Sequence, residues 1–290
     1  MPSVYSIADW TQSRISPILN EKRVLNVNLF IEIFVVLLGL AFGSFLNVCI
    51  ARLPRHESIA QPPSHCPVCG KPIRVRDNLP LLSYVFLRGR CRNCRSRISW
   101  RYPAIEFATA ALWLLCYLQF GPTVQAVGMA VFCFLALGLA MMDAETLLLP
   151  DAFTLPGIAS GIIYSAVSAD LNMRAHFIAA VLSLEWAALA AAFILLIMGL
   201  YWLVRRRTGM GFGDVKLFAM IAAWLGIPSA ALAFFLAVIF TAIYGIALTA
   251  RARRWQPTTR LPLGAFLAAA ALYAVFAGEQ TIAWYLRFFP

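Results

Sequence analysis

The sequence predicts an all-α, polytopic membrane protein of about eight transmembrane helices with one small zinc-binding loop domain. Three observations predict it. Of 290 residues, 61% are hydrophobic and only 13% charged, and the mean hydropathy is +0.77; too few polar side chains remain to coat a water-soluble globule. The apolar residues fall in long runs, and a hydrocarbon core about 30 Å thick takes about 20 of them per helix. The 24 Lys and Arg gather in a few segments between those runs.

In chain order, residues 1–28 are too polar for a cleaved signal peptide and read as a tail before the first helix. The first span is 29–50, followed by a loop at 51–103 that is the only compositional break. The core, 104–290, holds clear spans at 104–119, 124–142, 177–204, 229–250 and 261–277. Two weaker ones are 152–168, rich in Gly and Ser, and 215–227, short and opened by a glycine-rich turn; either is expected to tilt or re-enter. Glu32 and Glu185 fall inside spans and receive no role.

Charge orients these spans. The loop 51–103 holds 11 Lys and Arg, 205–216 holds four and 251–260 four, all on one side if there are eight spans; the other side keeps Arg14, Lys22, Arg23, Arg174 and Arg287. The positive-inside rule then puts the loop in the cytoplasm and the N-terminus outside. The net charge of +11 is mostly topology and contact with anionic lipid, so no nucleic-acid partner is implied.

The loop carries Cys66-Pro67-Val68-Cys69 and Cys91-Arg92-Asn93-Cys94. Each CxxC places two thiolates on one face of a tight turn, and two such turns complete a closed tetrahedral shell, a structural zinc site. The other reading is two disulfides, which a reducing cytoplasm disfavours. His65 beside the first cysteine reads as a bystander. Cys49, Cys116 and Cys133 read as packing residues in apolar helices.

Ionisable groups near lipid are costly, so the carboxylates at span ends need a reason. One group is Asp143 to Asp151, with Glu145 between them, after the third span; the other is Gly209-Met210-Gly211-Phe212-Gly213-Asp214-Val215-Lys216. Both lie on the predicted cytoplasmic side. Two carboxyls held close share one proton, and such a pair can act as acid and base on a peptide bond. Gly209, Gly211 and Gly213 would let the backbone turn tightly and approach a substrate. The simpler alternatives are helix caps at Asp214 and Asp151, or a proton relay in a transporter.

The order of several motifs resembles the bacterial prepilin peptidases. They are Gly43-Ser44-Phe45-Leu46-Asn47-Val48, Arg52-Leu53-Pro54, the two CxxC knuckles with Asp77-Asn78-Leu79-Pro80 between them, Arg101-Tyr102-Pro103-Ala104-Ile105-Glu106, the Asp143–Asp151 segment, the turn ending at Asp214, and Leu261-Pro262-Leu263-Gly264-Ala265-Phe266. The resemblance implies an inner-membrane enzyme that cleaves the leader from type IV prepilins or pseudopilins at the cytoplasmic membrane face. It makes Asp143 and Asp214 the catalytic pair, with Asp151 supporting or taking the place of Asp143. Gly211, Gly213, Lys216 and Glu106 are carried over as supporting or substrate-binding residues. It also implies methyl transfer from S-adenosylmethionine to the new N-terminus, associated with the cysteine loop. Two positions depart from the family pattern: Phe212 stands where tyrosine is usual and Ala265 where proline is expected. Glu106 reads equally as a binding residue or as a partner of Arg101. Ser44 and Asn47 read as hydrogen-bonding glue between helices, or as contacts to substrate backbone. Competing readings are a proton-coupled transporter and a noncatalytic scaffold.

Overall fold

The computed structural model of the chain describes residues 7–169, 173–207, 210–252 and 261–288, the side chains of 7–27 and 252 excepted. Its helices are α1 (Ile7–Arg52), α2 (Leu82–Phe86), α3 (Arg101–Phe120), α4 (Val124–Thr146), α5 (Asp151–Ser168), α6 (Met173–Arg205), α7 (Phe212–Ala252) and α8 (Leu263–Leu286). Among the described residues there is no strand beyond two isolated bridges in the loop. The segment expected as a tail is helical from Ile7, so α1 is 46 residues long and its apolar part starts at Asn28. Gly209 and residues 253–260, including Arg253, Arg254 and Arg260, lie outside the described residues.

Helix α1 meets α3 through small residues. Gly39 and Gly43 lie one turn apart on one face, and a Cβ added to either would stand 2.7 Å from a Cα of α3, that of Ala110 or Glu106. In lipid, where no hydrophobic force draws helices together, such close backbone approach supplies the dispersion contact that holds them. The other face of α1 exposes Phe30, Phe34 and Leu37, apolar surface suited to acyl chains.

Among the described residues, six helices are long and apolar enough to cross a membrane, α7 counted as one 40-residue stretch. A straight helix of that length would run about 60 Å, twice the hydrocarbon thickness. Instead α7 folds back. At its start Gly213 lies against Leu149, which also lies against Gly264 at the start of α8; further along, Gly245 meets Leu261 and Ser229 meets Gly278. Residues 213 and 245 are therefore at the same end of the bundle. The turn is at Gly226, whose φ of 75° and ψ of 168° are open only to glycine. With α7 divided there and the 18-residue α5 counted, the expected eight segments are present.

The break frees backbone carbonyls inside the bundle, and neighbours take them up. The Ser183 hydroxyl of α6, fully buried, donates to Ala223 O at 2.8 Å. Beside it the Trp224 indole donates to Gly157 O of α5 at 2.8 Å and stacks on Tyr164 with ring centroids 5.0 Å apart. A Cβ at Gly226 would stand 3.0 Å from the Trp186 ring. Gly226→Ala is expected to cost about 1–3 kcal/mol in thermal unfolding in detergent. Gly199→Ala, on a helical residue with open space around it, should be neutral or stabilise by up to about 1 kcal/mol.

Candidate active site and metal centre

Asp143 occupies the last turn of α4, which stops because Leu147 adopts a left-handed conformation and returns its N–H to Asp143 O. Its side chain is turned inward, leaving the residue 6% exposed, onto the first turn of α8. A helix begins with amide groups that have no intrahelical acceptor. One of them, Ala265 N–H, donates to Asp143 Oδ2 at 2.7 Å. Gly264 permits this approach, because a Cβ there would stand 3.0 Å from the same oxygen. The sequence reading gave this motif no task. A glycine beside a helix-starting proline opposite an acidic segment was the available signal, but only the fold shows what it faces. The departure from proline matters here, since proline has no N–H to give.

Asp214 sits in the first turn of α7, half-buried, and its Oδ2 accepts from Gly211 N–H at 3.2 Å while its own N–H bonds Gly211 O. It is thus the third helical residue reaching back to its cap, not the cap itself. Leu149 packs against both Gly213, next to Asp214, and Gly264, whose added Cβ would also meet the Asp143 carboxyl, so the fold brings two carboxyls that are 71 positions apart to one end of the bundle. Of the three glycines, Gly211 and Gly213 are among the described residues. Gly213 does not adopt a positive φ; it is small because a Cβ would press to 2.9 Å from the Leu149 side chain.

Asp151 opens α5 without capping it, and its carboxylate pairs with Lys216 Nζ at 2.5 Å. Both are at least partly exposed; Lys216 stands two residues after Asp214 on α7, and Asp151 eight after Asp143, on α5. Arg101 pairs with Glu145, which sets aside the alternative that Glu106 is merely the partner of Arg101. Glu106, buried, instead accepts the Leu81 N–H at 2.8 Å. It thereby ties the loop to the α1–α3 pair. Asn47 donates to Gly43 O and Tyr102 O, as interhelical glue does.

The loop folds around its cysteines. The two knuckles repeat one backbone pattern: Gly70 N–H to Cys66 O and Cys66 N–H to Lys71 O, then Arg95 N–H to Cys91 O and Cys91 N–H to Ser96 O. The Sγ atoms of Cys66, Cys69, Cys91 and Cys94 all lie within 4.8 Å of one another, and Cys66 and Cys94 are 3.8 Å apart. A tetrahedron with metal–sulfur bonds of about 2.3 Å has edges of about 3.8 Å, so the four thiols fit a metal ion. The Cys69 backbone N–H above all holds the Cys66 thiol down from 9.0 to about 6, toward the thiolate a metal needs. None of the seven cysteines is in a disulfide, and His65 turns to Pro63 O. Between the knuckles, Asp77 and Arg92 form a two-pronged pair.

Fold and site define a polytopic membrane protein with a carboxyl pair at one end of its bundle and a four-thiol loop beside it. Residues 37–120 match the bacterial peptidase A24 N-terminal domain, and residues 130–246 match the type IV leader peptidase family. Among curated relatives named prepilin leader peptidase/N-methyltransferase, the one from Pseudomonas aeruginosa is 35% identical over 280 residues, covering 87% of this chain and 92% of the relative. That from Klebsiella pneumoniae is 42% identical over 202 residues, 67% and 84% of the two chains. That from Burkholderia pseudomallei is 34% identical over 271 residues, 84% and 85%. No solved structure matches the chain significantly. The chain belongs to the type IV leader peptidase family.

Proposed function

We propose that the protein is an inner-membrane aspartic endopeptidase that removes the leader from type IV prepilins or pseudopilins and then methylates the new N-terminus. The observation that supports the peptidase reading is that Asp143 and Asp214 share the end of the bundle where α4 ends and α7 and α8 begin, around Leu149. A carboxyl pair of this kind needs no covalent intermediate. One member takes a proton from water as it attacks the peptide carbonyl, and the other gives a proton to the departing amine. A prepilin with its apolar stem in the bilayer and its leader in the cytoplasm holds the scissile bond at the depth of helix ends. Confining enzyme and substrate to one plane removes much of the entropy cost of alignment.

The loop belongs in the cytoplasm on its charge, and its metal is zinc, bound by Cys66, Cys69, Cys91 and Cys94. Zinc supplies folding energy to a loop with little core of its own. The methyl donor is S-adenosylmethionine, and the acceptor is the α-amine released by cleavage; that the relatives are N-methyltransferases by name supports this second activity. The transporter and scaffold readings explain neither the family match nor the paired loop and carboxyl site.

Intact-mass analysis of a purified prepilin incubated with the detergent-solubilised protein and S-adenosylmethionine tests both activities. Loss of the leader mass together with gain of one methyl supports the proposal; an uncut prepilin beside a folded, zinc-loaded enzyme refutes it. Asp151→Asn is expected to slow cleavage by no more than about tenfold in the same assay, because a partly exposed ion pair contributes at most about 1 kcal/mol.

A further inference from the structure

The two carboxyls are not held alike. Asp143 is 6% exposed and receives the Ala265 N–H at 2.7 Å; Asp214 is half-buried and receives one longer bond, 3.2 Å, from Gly211. The donor to Asp143 is an amide in the first turn of α8, where the helix presents its positive end. Amide N–H groups cannot accept, so they favour the ionised form of the oxygen they face. We infer that the Ala265 backbone amide is a positioning group that keeps Asp143 as the ionised base of the pair and leaves the shared proton on Asp214, the acid. This rests on the peptidase reading and deepens it.

The other charged groups around the pair do not reverse the asymmetry. On α4 itself Glu145 is engaged by Arg101 of α3, and across α5 and α7 Asp151 is engaged by Lys216. The described start of α8, Leu263 to Phe266, brings no charge of its own. In the reaction a water O–H proton passes to Asp143 as the water oxygen bonds to the carbonyl carbon. The Asp214 proton goes to the substrate, the C–N bond breaks with its electron pair on nitrogen, and the leaving amine departs protonated. One water is consumed and the pair is left to re-equilibrate its proton.

Ala265→Pro deletes the N–H within the first turn of a helix, where proline is tolerated, while Ala265→Ser keeps it. The readout is the pH dependence of prepilin cleavage. The acidic limb marks protonation of the base, so losing a donor to its ionised form moves that limb to higher pH. A shift of about one unit is expected for the proline variant and none for the serine variant. Equal limbs in all three proteins overturn the inference, as does a proline variant that is inactive at every pH yet as stable as the parent. If the proline variant does not fold, the residual rates of the aspartate variants decide. An asparagine resembles a neutral carboxyl, so Asp214→Asn should retain at least about tenfold more activity than Asp143→Asn; equal or reversed residues of activity overturn the assignment. A parent protein that leaves prepilin uncut at any pH fails the peptidase reading instead, and the inference with it.

Discussion

Replacing either Asp143 or Asp214 by Asn is expected to slow prepilin cleavage by about a thousandfold or more while leaving the protein folded. The size follows from the roles. A general acid or base contributes about 10²–10⁴-fold, and a pair acting as one unit loses nearly all its advantage when either member goes. Folding should survive, because asparagine keeps the shape and can still meet Ala265 N–H or Gly211 N–H through its carbonyl oxygen. Cleavage rates from gel shift or mass, with thermal stability measured alongside, check both halves. A fall of only a few-fold would make the carboxylates helix-end groups and no more.

Removing the metal is expected to have the second largest effect, confined to the loop. Four thiolates binding zinc supply about 10–16 kcal/mol of apparent folding energy, more than the loop gains elsewhere. Its side chains Val68, Val75, Val85 and Phe86 are all largely exposed, so it has little core to fall back on. A strong chelator, or Cys66→Ser, should therefore release the loop to proteolysis between Arg55 and Arg101. The transmembrane bundle should keep its helicity, because the buried residues of its core come from α1 and α3 to α8 and not from the loop. Metal content by elemental analysis and limited proteolysis followed by mass spectrometry check this. A loop that stays protected without metal contradicts it. Methyl transfer should fall further than cleavage, since Glu106 fastens the loop to α3 at Leu81 rather than to the carboxyl pair.

Much of this was legible from the residues alone. Spans longer than a bilayer announce themselves by composition, and a CxxC pair announces its own chemistry because its ligands are adjacent in sequence. The carboxyls could be nominated because charge beside lipid is costly. What composition could not reveal is which groups meet. The Asp143–Ala265 bond links residues 122 positions apart, and Arg101 finds Glu145 rather than the nearer Glu106. Long-range pairings of this kind follow from helix packing, not from local pattern. The hairpin in α7 is an intermediate case. Gly226-Ile227-Pro228 is a turn signal, and spans at 215–227 and 229–250 anticipated it, yet the Ser183 hydroxyl that takes up the freed Ala223 carbonyl comes from another helix. Gly213 taught the reverse lesson: a glycine that reads as a turn residue is small because Leu149 packs on it.

The most direct test of the central claim, that Asp143 and Asp214 act as one catalytic unit, is the cleavage rate of the double variant Asp143→Asn/Asp214→Asn beside the two single variants, followed by intact mass over long incubations. A unit already disabled by one loss cannot be disabled twice, so the double variant should be no slower than the slower single variant. A double variant slower by the product of the two single losses would show independent contributions and contradict the claim.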